Sequence, residues 1–232
     1  MFTTKLNFCS WNIHGYHSRD IGNKLKDHDF LRNIQNDDFV GISETHMHDE
    51  VIDDLSIPGY HCLSFKNRKK NVKSNTAPGG IAVFVKDHLV KLFSVLELGN
   101  DDAIWVKLKK ELIGEERDIY IATCYFNPPK EQANERKMSK LAEDILLLKS
   151  KGRILINGDL NAKTSNLEDT IAPDKSDKQF DITIDEPPPN RNSRDTAINA
   201  RGREMLEMWK SLNGRRKPKL EHILILTHGL LK

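Results

Sequence analysis

The chain has 232 residues, with 36 Lys and Arg against 34 Asp and Glu, so its formal net charge is +2, and its length accommodates one large α/β or β-rich domain, or one domain with an extension. Cys9, Cys62 and Cys124 are too scattered for a disulfide framework or a zinc ribbon, and no apolar run reaches a signal-peptide core or the ~18 residues of a membrane span. The expected setting is reducing and intracellular, with no membrane partner.

Apolar residues alternate with a period of two over residues 6–11, 39–43, 60–65, 80–85, 104–108, 119–126 and 153–156, which predicts seven strands. Helical spacing links Ile21, Leu25, Leu31 and Ile34, and again Met138, Leu141, Ile145 and Leu148, predicting two amphipathic helices on the outside of the sheets. Several strands follow one another between 60 and 126, with helices inserted elsewhere. The expected fold class is therefore α/β, a four-layer sandwich of two packed, mainly antiparallel sheets flanked by helices.

Residues 1–163 form the main part of that domain. Over 164–192, acids, Ser, Asn and Pro187-Pro188-Pro189 replace the periodic apolar positions, marking an acidic, Pro-rich loop. Ile198, Met205, Leu206, Met208, Trp209 and Leu212 then resume helical spacing, so 193–214 reads as a helix of the same domain, capped by Asp195 or Thr196 and stopped at Asn213-Gly214. Residues 215–232 are a divergent basic tail whose run 223–226 is an edge strand or a collapsed segment. No internal repeat is present.

The small net charge conceals local asymmetry. Residues 27–54 carry nine acids against Arg32, residues 65–73 carry Lys66, Arg68, Lys69, Lys70 and Lys73 with no acid, and residues 190–220 carry nine bases against three acids. Such basic blocks are ordinary solvated loops or a polyanion-binding surface, and charge alone leaves both open.

Four apolar strands deliver a polar group at their ends: Asn12 in Ser10-Trp11-Asn12-Ile13-His14-Gly15, Glu44 in Gly41-Ile42-Ser43-Glu44, Tyr125 before Phe126-Asn127-Pro128-Pro129, and Asp159 with Asn161 in Asn157-Gly158-Asp159-Leu160-Asn161. Singly, each reads more readily as a turn former, a surface residue or a rim residue than as a site residue. Together they describe one cleft, because strand ends on one side of packed sheets converge. Glu44 and the Asn12 carbonyl are hard oxygen ligands suited to Mg²⁺, which leaves Asp159 to orient or deprotonate a water.

Trp11-Asn12-Ile13-His14-Gly15, Ser43-Glu44-Thr45-His46, the Gly79-Gly80 strand, Cys124-Tyr125-Phe126-Asn127-Pro128-Pro129 and Gly158-Asp159-Leu160-Asn161 occur in the order seen in the endonuclease/exonuclease/phosphatase superfamily. The set most resembles the apurinic-endonuclease-like domain of LINE-type (non-LTR) retrotransposons. Ser193-Arg194-Asp195-Thr196, Ile198-Asn199-Ala200-Arg201-Gly202-Arg203 and the helix that follows extend the resemblance over roughly residues 5 to 215. It implies a DNA-nicking phosphodiesterase dependent on Mg²⁺ or Mn²⁺, with no small-molecule cofactor, acting in the nucleus. Asn12 and Glu44 would hold the metal, Tyr125 would contact the phosphate, Asp159 would position the attacking water and Asn161 would assist. Lys66, Arg68, Lys69, Lys70, Arg191, Arg194 and Arg201 would contact DNA.

The superfamily pattern closes with further strands and a Ser-Asp-His triplet that do not occur after Arg215, so missing C-terminal strands and impaired turnover are expected. The alternatives are a catalytically inactive nucleic-acid-binding remnant, and an inositol-phosphate or lipid phosphatase of the same fold.

Overall fold

The computed structural model describes residues 6–47, 55–68, 77–112, 116–128, 138–167 and 196–213, together with the backbone of 223–226. In chain order these form β1 (Phe8–Asn12), a small hairpin of β2 (His17–Ser18) and β3 (Gly22–Asn23), α1 (His28–Ile34), β4 (Phe39–Ser43), β5 (Tyr60–Lys66), β6 (Ile81–Lys86) and β7 (Phe93–Leu96). β8 (Ala103–Leu108), β9 (Asp118–Tyr125), α2 (Ser139–Leu148), β10 (Gly152–Asp159), α3 (Ala200–Asn213) and β11 (Ile223–Leu226) complete the order. One sheet runs β1-β4-β6-β5, and the other β11-β10-β9-β8-β7.

Both sheets are mixed rather than mainly antiparallel. β1 and β4 are parallel, as are β9 with β10 and β10 with β11, whereas β4–β6, β5–β6, β7–β8 and β8–β9 are antiparallel. The physical reason lies in the connections. A parallel pair needs a crossover of a dozen or more residues, and α1 lies within one such connection and α2 within another.

Strand alternation divides the apolar side chains between faces. Phe39, Ile81, Val83 and Val85 of the first sheet pack against Ile104, Val106, Leu108, Ile121 and Leu155 of the second in one buried cluster. On the far side of the second sheet, Trp105, Tyr120, Ala122, Ile154 and Ile156 meet Met138, Leu141, Ile145 and Leu148 at α2 and Met205, Met208, Trp209 and Leu212 of α3. Phe30 and Ile34 of α1 cover Val40, Ile42, Ala82 and Phe84 in the same way. Each buried Val, Leu, Ile, Phe or Met side chain here contributes roughly 1.5–3 kcal/mol by leaving water. Asp144, buried in α2, is satisfied by Trp105 Nε1 at 3.0 Å and by Lys140 Nζ at 2.9 Å.

The first helix is shorter than its spacing predicts. Ile21 is exposed, and the chain spends residues 17–26 in the hairpin and a 3₁₀ turn before α1 begins. The Asn23 side chain accepts from Leu25 N–H, and that of Asp27 accepts from the N–H groups of Asp29 and Phe30, so two local caps interrupt what periodicity alone reads as continuous. α3 likewise starts at Ala200, capped by Asn199 through Gly202 N–H at 2.8 Å; Thr196 lies ahead of the helix start, and Asp195 is outside the described residues. Residues 223–226 form an edge strand. Most of the acidic loop, from 168 onward, and the remainder of the tail lie outside the described residues. Among the described residues, no helix is long and apolar enough to cross a membrane.

Candidate active site

Parallel pairing places the polar strand ends in twos. β1 and β4 run side by side with Asn12 opposite Ser43, so Glu44, one residue further, leaves its sheet beside Asn12. In the other sheet Tyr125 stands opposite Asp159 at the ends of β9 and β10. The carboxyl ends of parallel strands share an edge, and here two such edges meet. Asn12 Nδ2 donates to Asp159 Oδ2 at 2.9 Å, and Tyr125 OH donates to Glu44 Oε1 at 2.9 Å, each bond joining one sheet to the other.

The loops leaving these strands are held by their own hydrogen bonds. Asn12 Oδ1 accepts from His14 N–H at 3.0 Å, while Ile13 and Gly15 donate their N–H groups to Ser43 O and Glu44 O at 3.1 and 2.7 Å. Lys24 Nζ secures the same loop through Ile13 O at 2.7 Å. Asn161 N–H donates to Asp159 Oδ1, and Asn161 Nδ2 to Phe126 O, both at 2.9 Å. Gly158, at φ +112°, occupies a position where a Cβ would collide with the Cys124 carbonyl, so β10 ends as it does only with glycine there. Five non-glycine residues among those described have positive φ, and four of them, His14, Glu44, His46 and Asn161, are at this one place. Backbone held in the left-handed region costs energy that surrounding contacts must supply, and it gathers at functional sites.

The electrostatics favour a charged Glu44. Burial pushes its carboxyl up, but hydrogen bonds from Asn12, His14 and Tyr125 and the charge of His46 outweigh this and hold it below the usual carboxylate value. Burial, the bond to Glu44 and the charges of Glu44 and Asp159 push the Tyr125 phenol up, so it keeps its proton and donates. His14 Nδ1 lies 2.9 Å and His46 Nε2 3.6 Å from Glu44 Oε2. Burial lowers the His46 imidazole despite the neighbouring Glu44, with His14 and Lys24 adding to the shift.

Among the described residues, no three His, Cys, Asp or Glu side chains form a ready metal cage. The donor set is nonetheless two carboxylates and a carboxamide oxygen, each carboxylate oxygen retaining a lone pair beyond its hydrogen bond. That chemistry fits a hard dication that keeps most of its waters.

The expected nucleic-acid contacts divide differently. Lys66 Nζ donates to Asn100 O at 2.6 Å and Ala103 O at 2.9 Å, so it ties β5 to the turn before β8. Arg201 is buried, paired with Glu204 at 2.8 Å and stacked over Phe126 with 5.3 Å from its guanidinium carbon to the ring centroid. Arg68 does reach the site's rim, where it pairs with Asp102 and lies 3.5 Å from Tyr125 O. Lys69, Lys70, Arg191 and Arg194 are outside the described residues. His14, His46 and Lys24 join the site without having been singled out by sequence; the two histidines stand inside the motifs that carry Asn12 and Glu44, and Lys24 has no local signal.

Two carboxylates, Glu44 and Asp159, and two carboxamides, Asn12 and Asn161, thus stand at facing strand ends of two mixed sheets. The model of the Endonuclease/Exonuclease/phosphatase family matches residues 9–202, and the chain belongs to that family, whose members are hydrolases of phosphodiester and phosphate bonds. No curated protein matches the chain. Among solved structures it is similar to the AP endonuclease LMAP from Leishmania major, with 15% identity over 68% of this chain and 56% of that one and a TM-score of 0.51. The 3′ phosphatase NExo from Neisseria, bound to a product DNA hairpin, matches at 13% identity over 70% of this chain and 60% of that one, with a TM-score of 0.45. An AP endonuclease from Archaeoglobus fulgidus matches at 17% over 74% and 63%, with a TM-score of 0.43. The chain thus spans less than two thirds of the length of each of these structures.

Proposed function

We propose that this chain is a divalent-cation-dependent phosphodiesterase that nicks DNA, of the kind found in LINE-type retroelements and acting in the nucleus. The observation that carries the reading is the 2.9 Å hydrogen bond from Asn12 to Asp159, which joins the strand ends of both sheets into one oxygen-rich cleft. The family membership and the ordered motifs support the phosphodiesterase chemistry; the retroelement assignment rests on the motifs alone.

In this reading Asp159 orients and deprotonates the water that attacks phosphorus. Asn12 Nδ2 on one carboxylate oxygen and Asn161 N–H on the other fix the plane of the group and leave a lone pair on each oxygen for that water. A new P–O bond forms as the bond to the leaving oxygen breaks. Tyr125, protonated and aimed into the cleft, transfers its hydrogen bond from Glu44 to a phosphate oxygen. Glu44 and the Asn12 carbonyl would hold Mg²⁺ or Mn²⁺, which when bound supplies charge neutralisation at the phosphoryl group.

The test is nicking of supercoiled plasmid by the purified 232-residue protein with Mg²⁺, with EDTA, and with Asp159→Ala. Nicking that requires Mg²⁺ and is lost in Asp159→Ala supports the reading. Folded protein that binds DNA without nicking it points to a non-catalytic remnant, and release of phosphate from small monoesters in place of DNA cleavage points to a phosphatase.

A further inference from the structure

The segment Asn199-Ala200-Arg201-Gly202 has no part in the cleft, yet its side chains converge on the two loops that build it. Asn199 Nδ2 donates to Asn161 O at 2.8 Å, while its Oδ1 accepts from Lys163 N–H at 3.1 Å and from Gly202 N–H at 2.8 Å. Its own N–H donates to Lys163 O at 3.1 Å. Gly202 allows this approach, because a Cβ there would collide with the Lys163 carbonyl. Arg201 lies over the Phe126 ring, and Phe126 O in turn accepts from Asn161 Nδ2. The contacts close a ring, from Asn199 to Asn161, to Phe126, to Arg201 and back into α3. Asn161, held at positive φ, lies on this ring next to the Asp159 carboxylate that its N–H fixes.

We propose that Asn199 is a positioning residue for the proposed nicking reaction, acting through Asn161 to hold the Asp159 carboxylate in its working orientation; the catalytic part of this rests on the function proposed above. The same amide does two separable jobs. Its oxygen caps α3, which Asp performs equally well, and its nitrogen holds the carbonyl of the strained Asn161.

Asn199→Asp therefore keeps the cap and replaces the hold with a carboxylate oxygen facing the Asn161 carbonyl, while Asn199→Ala loses cap and hold alike. In the full 232-residue chain, Asn199→Asp is expected to lower kcat about tenfold or more, the effect of one lost hydrogen bond, with KM near that of the parent and a lower melting temperature, because the Asn161 carbonyl loses its donor. Amide hydrogen exchange should speed up at Asn161 and stay unchanged at Gly202. Asn199→Ala should lower kcat and the melting temperature together, with faster exchange at both amides. Parental kcat and parental Asn161 exchange in Asn199→Asp would reduce Asn199 to a helix cap and overturn the proposal. If the parent does not nick DNA, the functional reading fails and the exchange arm alone decides whether Asn199 orders the turn.

Discussion

Replacing Tyr125 with Phe removes one oxygen atom and tests the bond that couples the two sheets on the Glu44 side of the cleft. The hydroxyl donates to a charged acceptor at 2.9 Å in a largely buried setting, and hydrogen bonds to charged groups contribute about 1.5–3 kcal/mol. Glu44 retains donors in His14 and Asn12, so the lower end applies, about 1.5 kcal/mol. For a domain of this size that corresponds to a melting temperature lower by roughly 3–6 °C. A double-mutant cycle with Glu44→Ala, which removes the acceptor, followed by urea unfolding in EDTA at about pH 7, isolates the pairwise part. In the metal-free variant the Glu44 carboxyl also titrates closer to its ordinary value, because a donor that favours the charged form has gone. A coupling energy below about 0.5 kcal/mol, with an unaltered Glu44 titration by NMR, would refute the view that this hydrogen bond organises the site.

Asn12→Asp sets a second carboxylate against Asp159 Oδ2, where the amide now donates at 2.9 Å; like charges this close destabilise the fold, and scanning fluorimetry should show a lower melting temperature in EDTA that Mg²⁺ restores. Lys66→Ala removes donors to Asn100 O and Ala103 O and should cost about 1–3 kcal/mol of stability while leaving the salt dependence of DNA binding unchanged. A shallower salt slope in a gel-shift series would return Lys66 to the binding surface. Glu44 and His46 both have folded values below their ordinary 4.5 and 6.5, so the stability they confer is fully present above those values and is lost as pH falls. Urea midpoints in EDTA should therefore decline below about pH 6.5 and again below about 4.5, and Glu44→Gln should flatten the second decline.

Period-two alternation was enough to find β1, β4, β5, β6, β8, β9 and β10, because each buries one or both faces in a continuous core and local pattern records that burial directly. It missed β7 and the hairpin of β2 and β3, four- and two-residue elements too short to show a period. It also ran α1 back through Asn23 and Asp27, whose side chains cap the backbone and end the helix whatever the apolar spacing says. The cap of α3 was misplaced for a related reason. Asn199 is itself a cap-type residue, but its bonds to Lys163 and Asn161 on another loop are contacts that its local sequence does not show.

What the sequence by itself determined is that Asn12, Glu44, Tyr125, Asp159 and Asn161 stand at the ends of apolar strands, since strand length and turn residues are local properties. Only the tertiary structure decided that these ends are paired in parallel, that the pairs meet across the two sheets, and that Lys66 pairs with backbone carbonyls and Arg201 with a carboxylate and a ring. The reason is that a side chain's partner is set by contacts between segments far apart in the chain: Asn12 and Asp159 are 147 residues apart, and their hydrogen bond exists only because the crossovers through α1 and α2 bring the carboxyl ends of four strands to the same place.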